Sequence, residues 1–184
     1  MPLWIVRHAR PLVAPGVCYG VLDIAADPVA TAEAAQALAQ VLPPVAVLRV
    51  SPLQRCQQLA RAVQALRPEL QALSDPLLRE MDFGCWEGVP WSEIPQAAIQ
   101  AWTDDFGTHR FGGTESANAV LARVASAFDT CRHDQDTVWI SHAGVARAAA
   151  LLASGFRQVV RADQWPQEAP AYGQWSVVPV PPKP

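Results

Sequence analysis

The chain has 184 residues and a formal net charge of −3, and 51% of its residues are hydrophobic while 17% are charged. This composition suits one domain with a real hydrophobic core and excludes an intrinsically disordered chain, and the mild acidity argues against a nucleic-acid partner, which needs a basic surface. No run of about 18 apolar residues is present, so no membrane span is expected.

The start of the chain and its cysteines favour a cytoplasmic protein. The first residues lack the positive start and apolar run of a secretion signal. The four cysteines are scattered without a CxxC pair, which predicts free thiols. Cys131 and His133 are close in sequence, but tetrahedral zinc needs further ligands, so we expect no metal and no other cofactor. Nothing in the sequence specifies an oligomeric state.

Strands and helices alternate along the chain. In chain order the pattern predicts a strand at 3–6, a helix at 28–41, a strand at 45–50, a helix ending near 66, a strand at 70–73, a short helix at 91–102 inside an irregular segment at 83–113, a long helix at 114–132, a strand at 137–140, a helix at 145–154 and an edge strand at 175–178. We interpret 83–113 as a lid-like insertion and 166–184 as a proline-rich tail whose last six residues are loose. The alternation favours a single α/β domain, a three-layer α/β/α sandwich around a mostly parallel sheet.

Three helix starts carry a capping signal. Asp27 precedes Pro28, Ser51 precedes Pro52, and Thr114 precedes a run of apolar residues at helical spacing. A short polar side chain can accept hydrogen bonds from the free N–H groups of a first helical turn, and proline is tolerated at the first helical position. We therefore expect Asp27, Ser51 and Thr114 to cap helices.

Reactive side chains follow three of the predicted strands. Arg7 and His8 come after the first strand, Arg55 comes shortly after the strand at 45–50, and His142 follows the strand at 137–140. Because ligands bind beyond the carboxyl ends of the strands in open parallel sheets, we expect these side chains to meet at one edge.

Two arginines and two histidines at one edge favour a phosphate ligand. Two guanidinium groups repel each other unless an anion joins them, and phosphate accepts their bidentate, charge-assisted hydrogen bonds. Arg55 falls in the first turn of its helix, and Ala143 lies at the start of the last helix, where free backbone amides also favour an anion. A lone histidine after a strand is more often a core residue, but Arg7-His8 paired with His142 favours a functional site.

Five short segments between residue 3 and about residue 150 strengthen this interpretation. They are Ile5-Val6-Arg7-His8-Ala9, Ser51-Pro52-Leu53-Gln54-Arg55-Cys56, Leu78-Arg79-Glu80-Met81-Asp82-Phe83-Gly84-Cys85-Trp86-Glu87-Gly88, Gly112-Gly113-Thr114-Glu115-Ser116 and Ile140-Ser141-His142-Ala143-Gly144. In this order they resemble the signatures of the histidine phosphatase superfamily, the phosphoglycerate-mutase-like proteins. Any single segment would be a weak signal.

The resemblance implies the roles of the residues at the sheet edge. His8 would be the nucleophile that is transiently phosphorylated. Arg7, Arg55, His142 and the Ala143 amide would hold the phosphoryl oxygens, with His142 also counted as catalytic, because positioning and positive charge are the main devices of phosphoryl transfer.

The resemblance also gives Glu80 a role. Glu80 would protonate the leaving alkoxide and then deprotonate the attacking water. Without the family-like segment at 83–88, the simpler interpretation would be a solvated acid in a loop.

Some positions depart from the family pattern. Ala9 stands where the family has glycine, and Ala14 stands where it has a phosphate-binding asparagine. Alanine can still serve at position 9 if its φ is negative, and Arg10 is a candidate to compensate for the asparagine. Tyr19 and Trp86 are further candidates for substrate binding.

Several substrates fit the resemblance. Similarity favours a phosphatase that acts on a small phosphorylated metabolite and is nearest to the α-ribazole phosphatases of cobalamin biosynthesis. The substrate of those enzymes carries an aromatic base, which could stack on Trp86, Trp91 or Trp102. These tryptophans could equally pack the core or the lid. Glu80 argues against a protein phosphohistidine phosphatase, whose phosphoramidate bond needs less acid, and the chain is short for a phosphoglycerate mutase. A non-catalytic phosphate-binding protein is the alternative from another class.

Overall fold

The computed structural model describes residues 2–180, and the four C-terminal residues of the predicted loose tail lie outside this range. Five strands form one sheet in the order β3-β2-β4-β1-β5. Their bounds are β1 Pro2–Arg7, β2 Val47–Val50, β3 Ala72–Ser74, β4 Thr137–Ser141 and β5 Trp175–Pro179. β1, β2, β3 and β4 are parallel, and β5 pairs antiparallel with β1 at one edge. The predicted α/β fold and its edge strand are therefore confirmed.

The described residues form five α-helices, four of which cover the two faces of the sheet. They are α1 Pro28–Val41, α2 Gln54–Leu66, α3 Gln96–Asp104, α4 Ala117–Phe128 and α5 Ala143–Ala153. One core packs α1 and α2 against the sheet, and a second core packs α4 and α5 against the opposite face. β4 lies in the middle of the sheet and is buried along its whole length, as expected of a strand covered on both faces. Within the described residues, no helix is both long and apolar enough to cross a membrane.

Two of the three predicted helix caps differ from those in the structure. The Asp27 carboxylate caps α1 as expected, but α2 begins at Gln54, and its first N–H donates to the Asp23 carboxylate instead of to Ser51. The Ser51 hydroxyl contacts His142 at 2.7 Å and accepts only a long hydrogen bond, at 3.4 Å, from the N–H of Leu53 before α2. Asp23 is distant in sequence, so no local pattern could identify it as the cap.

The cap of α4 is Ser116, whose hydroxyl accepts from the N–H of Ala119, and not the predicted Thr114. Gly112 and Gly113 both have positive φ, and an isolated bridge pairs Phe111 with Glu115. This turn holds position 114 outside the helix. α4 ends at Phe128, four residues before the predicted end, because the chain turns there toward β4.

Other boundaries shift by a few residues. β2 begins at Val47, β3 occupies 72–74 where it pairs with β2, and α5 begins two residues early. The predicted helix at 91–102 is a single 3-10 turn followed by α3, because Pro95 interrupts it and becomes the N-cap of α3.

The segment 83–113 folds around an aromatic cluster. Phe111 is fully buried at its centre and contacts Phe83, Trp86, Trp91 and Trp102, with Trp91 and Trp102 stacked on its ring. The cluster packs against the core that contains α4 and α5. These aromatic rings therefore contribute to the packing of this segment, and its function as a lid stays a prediction.

Candidate active site

The carboxyl ends of β1, β2 and β4 bring the predicted histidines and arginines together. The ring centroids of His8 and His142 lie 5.1 Å apart. Arg55 Nε lies 3.2 Å from His8 Nε2, and the three side chains are almost completely buried. Because β1 and β4 are adjacent and parallel, the residues that follow them leave the sheet at the same edge.

The hydrogen bonds of His8 fix its tautomer. His8 Nδ1 lies 2.7 Å from the carbonyl oxygen of Ala9, which can only accept a hydrogen bond. Arg55 Nε–H can only donate, and it points at His8 Nε2. Nδ1 therefore carries the proton, and Nε2 carries the lone pair that can act as a nucleophile. No described non-glycine residue has positive φ, so Ala9 holds this carbonyl in an ordinary backbone conformation.

Arg55 is a fully buried cation without an acidic partner. Its two terminal nitrogens donate to the carbonyl oxygens of Leu22 and Gly20, at 2.9 and 2.6 Å, and its side chain is 0% exposed. Among residues 2–180 no carboxylate forms an ion pair with it. An uncompensated buried charge is costly, so this arrangement favours an anion beside His8.

Two tyrosines cover the arginines. The ring of Tyr172 lies 3.9 Å from the guanidinium carbon of Arg7, and the ring of Tyr19 lies 5.5 Å from that of Arg55. The two phenol oxygens are 2.7 Å apart, so the pair joins the N-terminal loop to the C-terminal tail above His8. Burial, and then the hydrogen bond to Tyr172, raise the pKa of Tyr19, so it stays neutral in the physiological range.

The Arg7 side chain makes a single hydrogen bond within the described chain, from Nη1 to the carbonyl oxygen of Pro170. Its Nε is buried without a hydrogen-bond partner among residues 2–180. Arg7 also forms no ion pair in that range. It therefore adds a second unpaired cation to the site of Arg55 and His8.

His142 is held by residues of α2 and the loop before it. Its Nε2 lies 2.7 Å from the Ser51 hydroxyl and 3.5 Å from the sulfur of Cys56. Burial is the main reason why the pKa of the Cys56 thiol is raised. Ser51 and Cys56 are buried neutral groups, and together they fix the position of the imidazole.

Both histidines are neutral at ordinary pH. Burial, and then the charge of Arg55, lower the pKa of His8 from 6.5 to about 3. Burial, and then the neighbouring His8, lower the pKa of His142 well below 6.5. His8 can therefore offer an unprotonated Nε2 across the physiological range.

Glu80 comes from the loop after β3, and its side chain contacts the first turn of α5. Its carboxylate accepts hydrogen bonds from the N–H groups of Gly144 and Met81, each at 3.0 Å. Glycine at position 144 allows the carboxyl to lie here, because a Cβ at that position would lie 2.2 Å from Glu80 Oε1. Ala143, the predicted phosphate-binding position, is the first residue of α5. The carboxyl group is thus positioned by the helix that follows His142.

Two other predicted residues have contacts outside this group. Arg10 forms an exposed ion pair with Asp27, at 3.1 Å, and Trp86 packs on Phe111 in the aromatic cluster. Their predicted contacts with a substrate stay predictions.

Several contacts around the site could not be predicted from local sequence patterns. Tyr172 reaches His8 from a tail that is separated from it by most of the chain. Glu87, part of a family-like segment, accepts the N–H groups of Gly20, Val21, Leu22 and Phe83. It thereby fixes the loop whose carbonyls hold Arg55. These contacts depend on the tertiary fold.

The four cysteines are unpaired, as predicted. Burial raises the pKa of Cys18 to about 12 and that of Cys131 to about 11, so these thiols are unreactive. In the part of the chain that the structure describes, no group of three or more histidine, cysteine or acidic side chains is placed to hold a metal ion.

Comparison with known proteins gives one family and one fold. The family model described as histidine phosphatase superfamily (branch 1) matches residues 3–177. No curated protein matches the sequence. Among solved structures, the protein TTHB049 from Thermus thermophilus is 28% identical with a TM-score of 0.73, over 100% of this chain and 96% of that chain. A mycobacterial glucosyl-3-phosphoglycerate phosphatase in complex with VO3 is 22% identical with a TM-score of 0.76, over 97% of this chain and 98% of that chain. At that identity the second similarity shows the fold alone.

Proposed function

Because the chain belongs to the histidine phosphatase superfamily (branch 1) and is a phosphatase with a histidine nucleophile, we propose that it hydrolyses a small phosphomonoester through a phosphohistidine on His8. One observation carries this proposal: the fully buried Arg55 donates to His8 Nε2 and has no acidic partner among the described residues. A phosphoryl group beside His8 would neutralise this cation.

Substrate entry exchanges one hydrogen bond for another. Arg55 Nε–H turns from His8 Nε2 to a phosphoryl oxygen, and this frees the Nε2 lone pair. Arg7 is the second cation for the phosphoryl oxygens, and its free Nε–H supports this role. The Tyr19–Tyr172 pair must separate for the phosphate to enter, because it lies over both arginines.

In the first chemical step, His8 Nε2 donates its lone pair to phosphorus and the P–O bond to the alcohol breaks with its electron pair. Glu80, in its protonated form, gives its proton to that oxygen, and the alcohol leaves. Nδ1–H stays hydrogen-bonded to the Ala9 carbonyl and helps to spread the positive charge of the phosphorylated ring. Covalent catalysis of this kind divides one difficult displacement into two easier ones.

In the second step, a water molecule attacks phosphorus while the N–P bond breaks and its electron pair returns to His8 Nε2. Glu80 now takes a proton from the water and is ready for another cycle. The net reaction converts a phosphomonoester and water into an alcohol and inorganic phosphate. No metal takes part in these steps.

The named substrate that we propose to test first is α-ribazole 5′-phosphate, which would place the enzyme in cobalamin biosynthesis. The sequence resemblance supports this substrate. The unpaired cysteines are consistent with a cytoplasmic enzyme.

Steady-state hydrolysis tests the proposed reaction and its substrate. We would compare α-ribazole 5′-phosphate, glucosyl-3-phosphoglycerate and para-nitrophenyl phosphate with a chelator present, using wild-type protein and the His8→Asn variant. Turnover by the wild type alone supports the reaction, and a large preference for α-ribazole 5′-phosphate supports that substrate. Substantial turnover by folded His8→Asn contradicts the nucleophile, and no turnover by folded wild type favours a phosphate-binding protein.

A further inference from the structure

A cavity of about 190 Å³ adjoins Glu80 and is lined largely by residues of the second core. Its walls come from the start of α5, the start of α4, α3 and the loop around residue 165. Apolar and aromatic side chains form most of the lining, among them Met81, Phe83, Phe106 and Trp165. The acid of the proposed mechanism therefore lies at one wall of an apolar cavity.

Two residues that line this cavity have an unpaired hydrogen-bond donor. The indole N–H of Trp102 and the Nε–H of Arg147 are both buried without a partner among residues 2–180. Arg147 donates only from Nη2, to the carbonyl oxygen of Gln167, and forms no ion pair in the described chain. Buried donors normally have partners, so both groups favour a ligand that brings acceptor atoms.

The half-buried charge of Arg147 also favours an anionic acceptor. Burial is the main influence on its guanidinium and lowers the pKa of Arg147, while Glu80 acts in the opposite direction. The Glu80 carboxylate is already used by the N–H groups of Gly144 and Met81. A half-buried arginine without its own carboxylate can pair with one supplied by the ligand.

We propose that this cavity binds the alcohol part of the substrate, and that this part is an aromatic ring bearing a carboxylate or a similar anionic oxygen. Arg147 and Trp102 would donate to the anionic group, and the aromatic walls would hold the ring. This inference rests on the proposed function, because the alcohol must lie beside the acid that protonates it.

The size of the cavity limits the ring. A protein cavity of about 150 Å³ accommodates benzene, so the volume of about 190 Å³ suits one substituted ring. The two-ring base and ribose of α-ribazole are larger and bring no carboxylate. The proposed class therefore differs from that named substrate, and the two can be separated experimentally.

The test compares phenyl phosphate with 4-carboxyphenyl phosphate, which differ only in the carboxylate. We expect wild-type kcat/KM to favour the carboxylated substrate by at least about tenfold, the effect of one charge-assisted hydrogen bond. The Arg147→Met variant should lose this preference, and Trp102→Phe, which keeps a ring but removes the N–H, should reduce it. Arg132→Met is the matched control, because Arg132 pairs with Asp134 at the opposite end of β4 and the preference should persist.

Equal kcat/KM for the two substrates in the wild type, or an unchanged preference in Arg147→Met, would overturn the proposal. A second measurement needs no variant: 4-hydroxybenzoate should inhibit para-nitrophenyl phosphate hydrolysis at least about tenfold more strongly than phenol, and equal inhibition would also overturn it. If folded protein hydrolysed neither aryl phosphate, the proposed function would fail, and calorimetric binding of 4-hydroxybenzoate would still decide whether the cavity takes such a ring.

Discussion

Replacing Gly144 with alanine should displace the Glu80 carboxyl while leaving α5 intact. The new Cβ would lie 2.2 Å from Glu80 Oε1, whereas ordinary contact begins at 3.4 Å. The carboxyl must therefore retreat by about 1.2 Å, the difference between these distances. It can do so because it ends a flexible side chain. A misplacement of about 1 Å in a catalytic group can cost about 100-fold in rate.

The activity of Gly144→Ala should fall while its stability is kept or raised. Gly144 lies in the first turn of α5 without positive φ, and alanine is favoured over glycine in helices by up to about 1 kcal/mol. We expect the unfolding free energy of Gly144→Ala to stay the same or rise. Its kcat/KM for phenyl phosphate should fall about 100-fold, with a much smaller fall for para-nitrophenyl phosphate, whose leaving group needs no acid.

Steady-state assays of the two substrates and urea unfolding provide the measurements. Glu80→Gln is the reference variant, and adding Gly144→Ala to it should cause little further loss, because both changes affect the same acid. Equal slowing of both substrates by Gly144→Ala would refute the reasoning, and so would full activity toward phenyl phosphate.

Three further predictions concern residues of the site and the loop that supports it. The pKa of His8 is about 3 in the folded protein and 6.5 in the unfolded chain, so its contribution to stability is present above pH 6.5 and is lost as the pH falls. Between pH 7 and pH 5, urea unfolding should show that the wild type loses roughly 2 kcal/mol more than His8→Asn. Equal losses in the two proteins would contradict the lowered pKa. Glu87→Gln should destabilise the fold by about 2 kcal/mol or more, since Glu87 accepts four backbone N–H groups, whereas the exposed Glu93→Gln should have almost no effect on urea unfolding. Inorganic phosphate at 100 times its Kd should stabilise wild type by about 2.7 kcal/mol in thermal unfolding, and a similar shift in Arg55→Met would show that the anion binds elsewhere.

The sequence was sufficient to predict the sheet edge at which His8, Arg55 and His142 meet. Short apolar runs marked the strands, and the reactive residues lie at or within a few residues of their ends. The parallel arrangement then brings their carboxyl ends to one side. Local patterns and the topology of α/β sheets therefore determine the position of these residues.

Contacts between distant segments could not be predicted. Ser51 has the local pattern of a helix cap, yet its hydroxyl contacts His142, and Asp23 caps the helix instead. Tyr172 lies in a proline-rich tail without any pattern, and reaches Arg7 only because β5 pairs with β1. Arg147 has the appearance of a surface residue on a helix, and only the packing of α3 and α4 around it forms a cavity.

Trapping the phosphorylated enzyme tests the central claim most directly. Wild-type protein would be mixed with para-nitrophenyl phosphate, quenched in alkali within the first turnover, digested and mapped by mass spectrometry. The mechanism predicts one acid-labile, alkali-stable phosphoryl group on the peptide that contains His8, and none in His8→Asn. A phosphoryl group on another residue would contradict His8 as the nucleophile. The same conclusion would follow if an enzyme that turns over at full rate carried no phosphoryl group on His8 and accumulated no other intermediate.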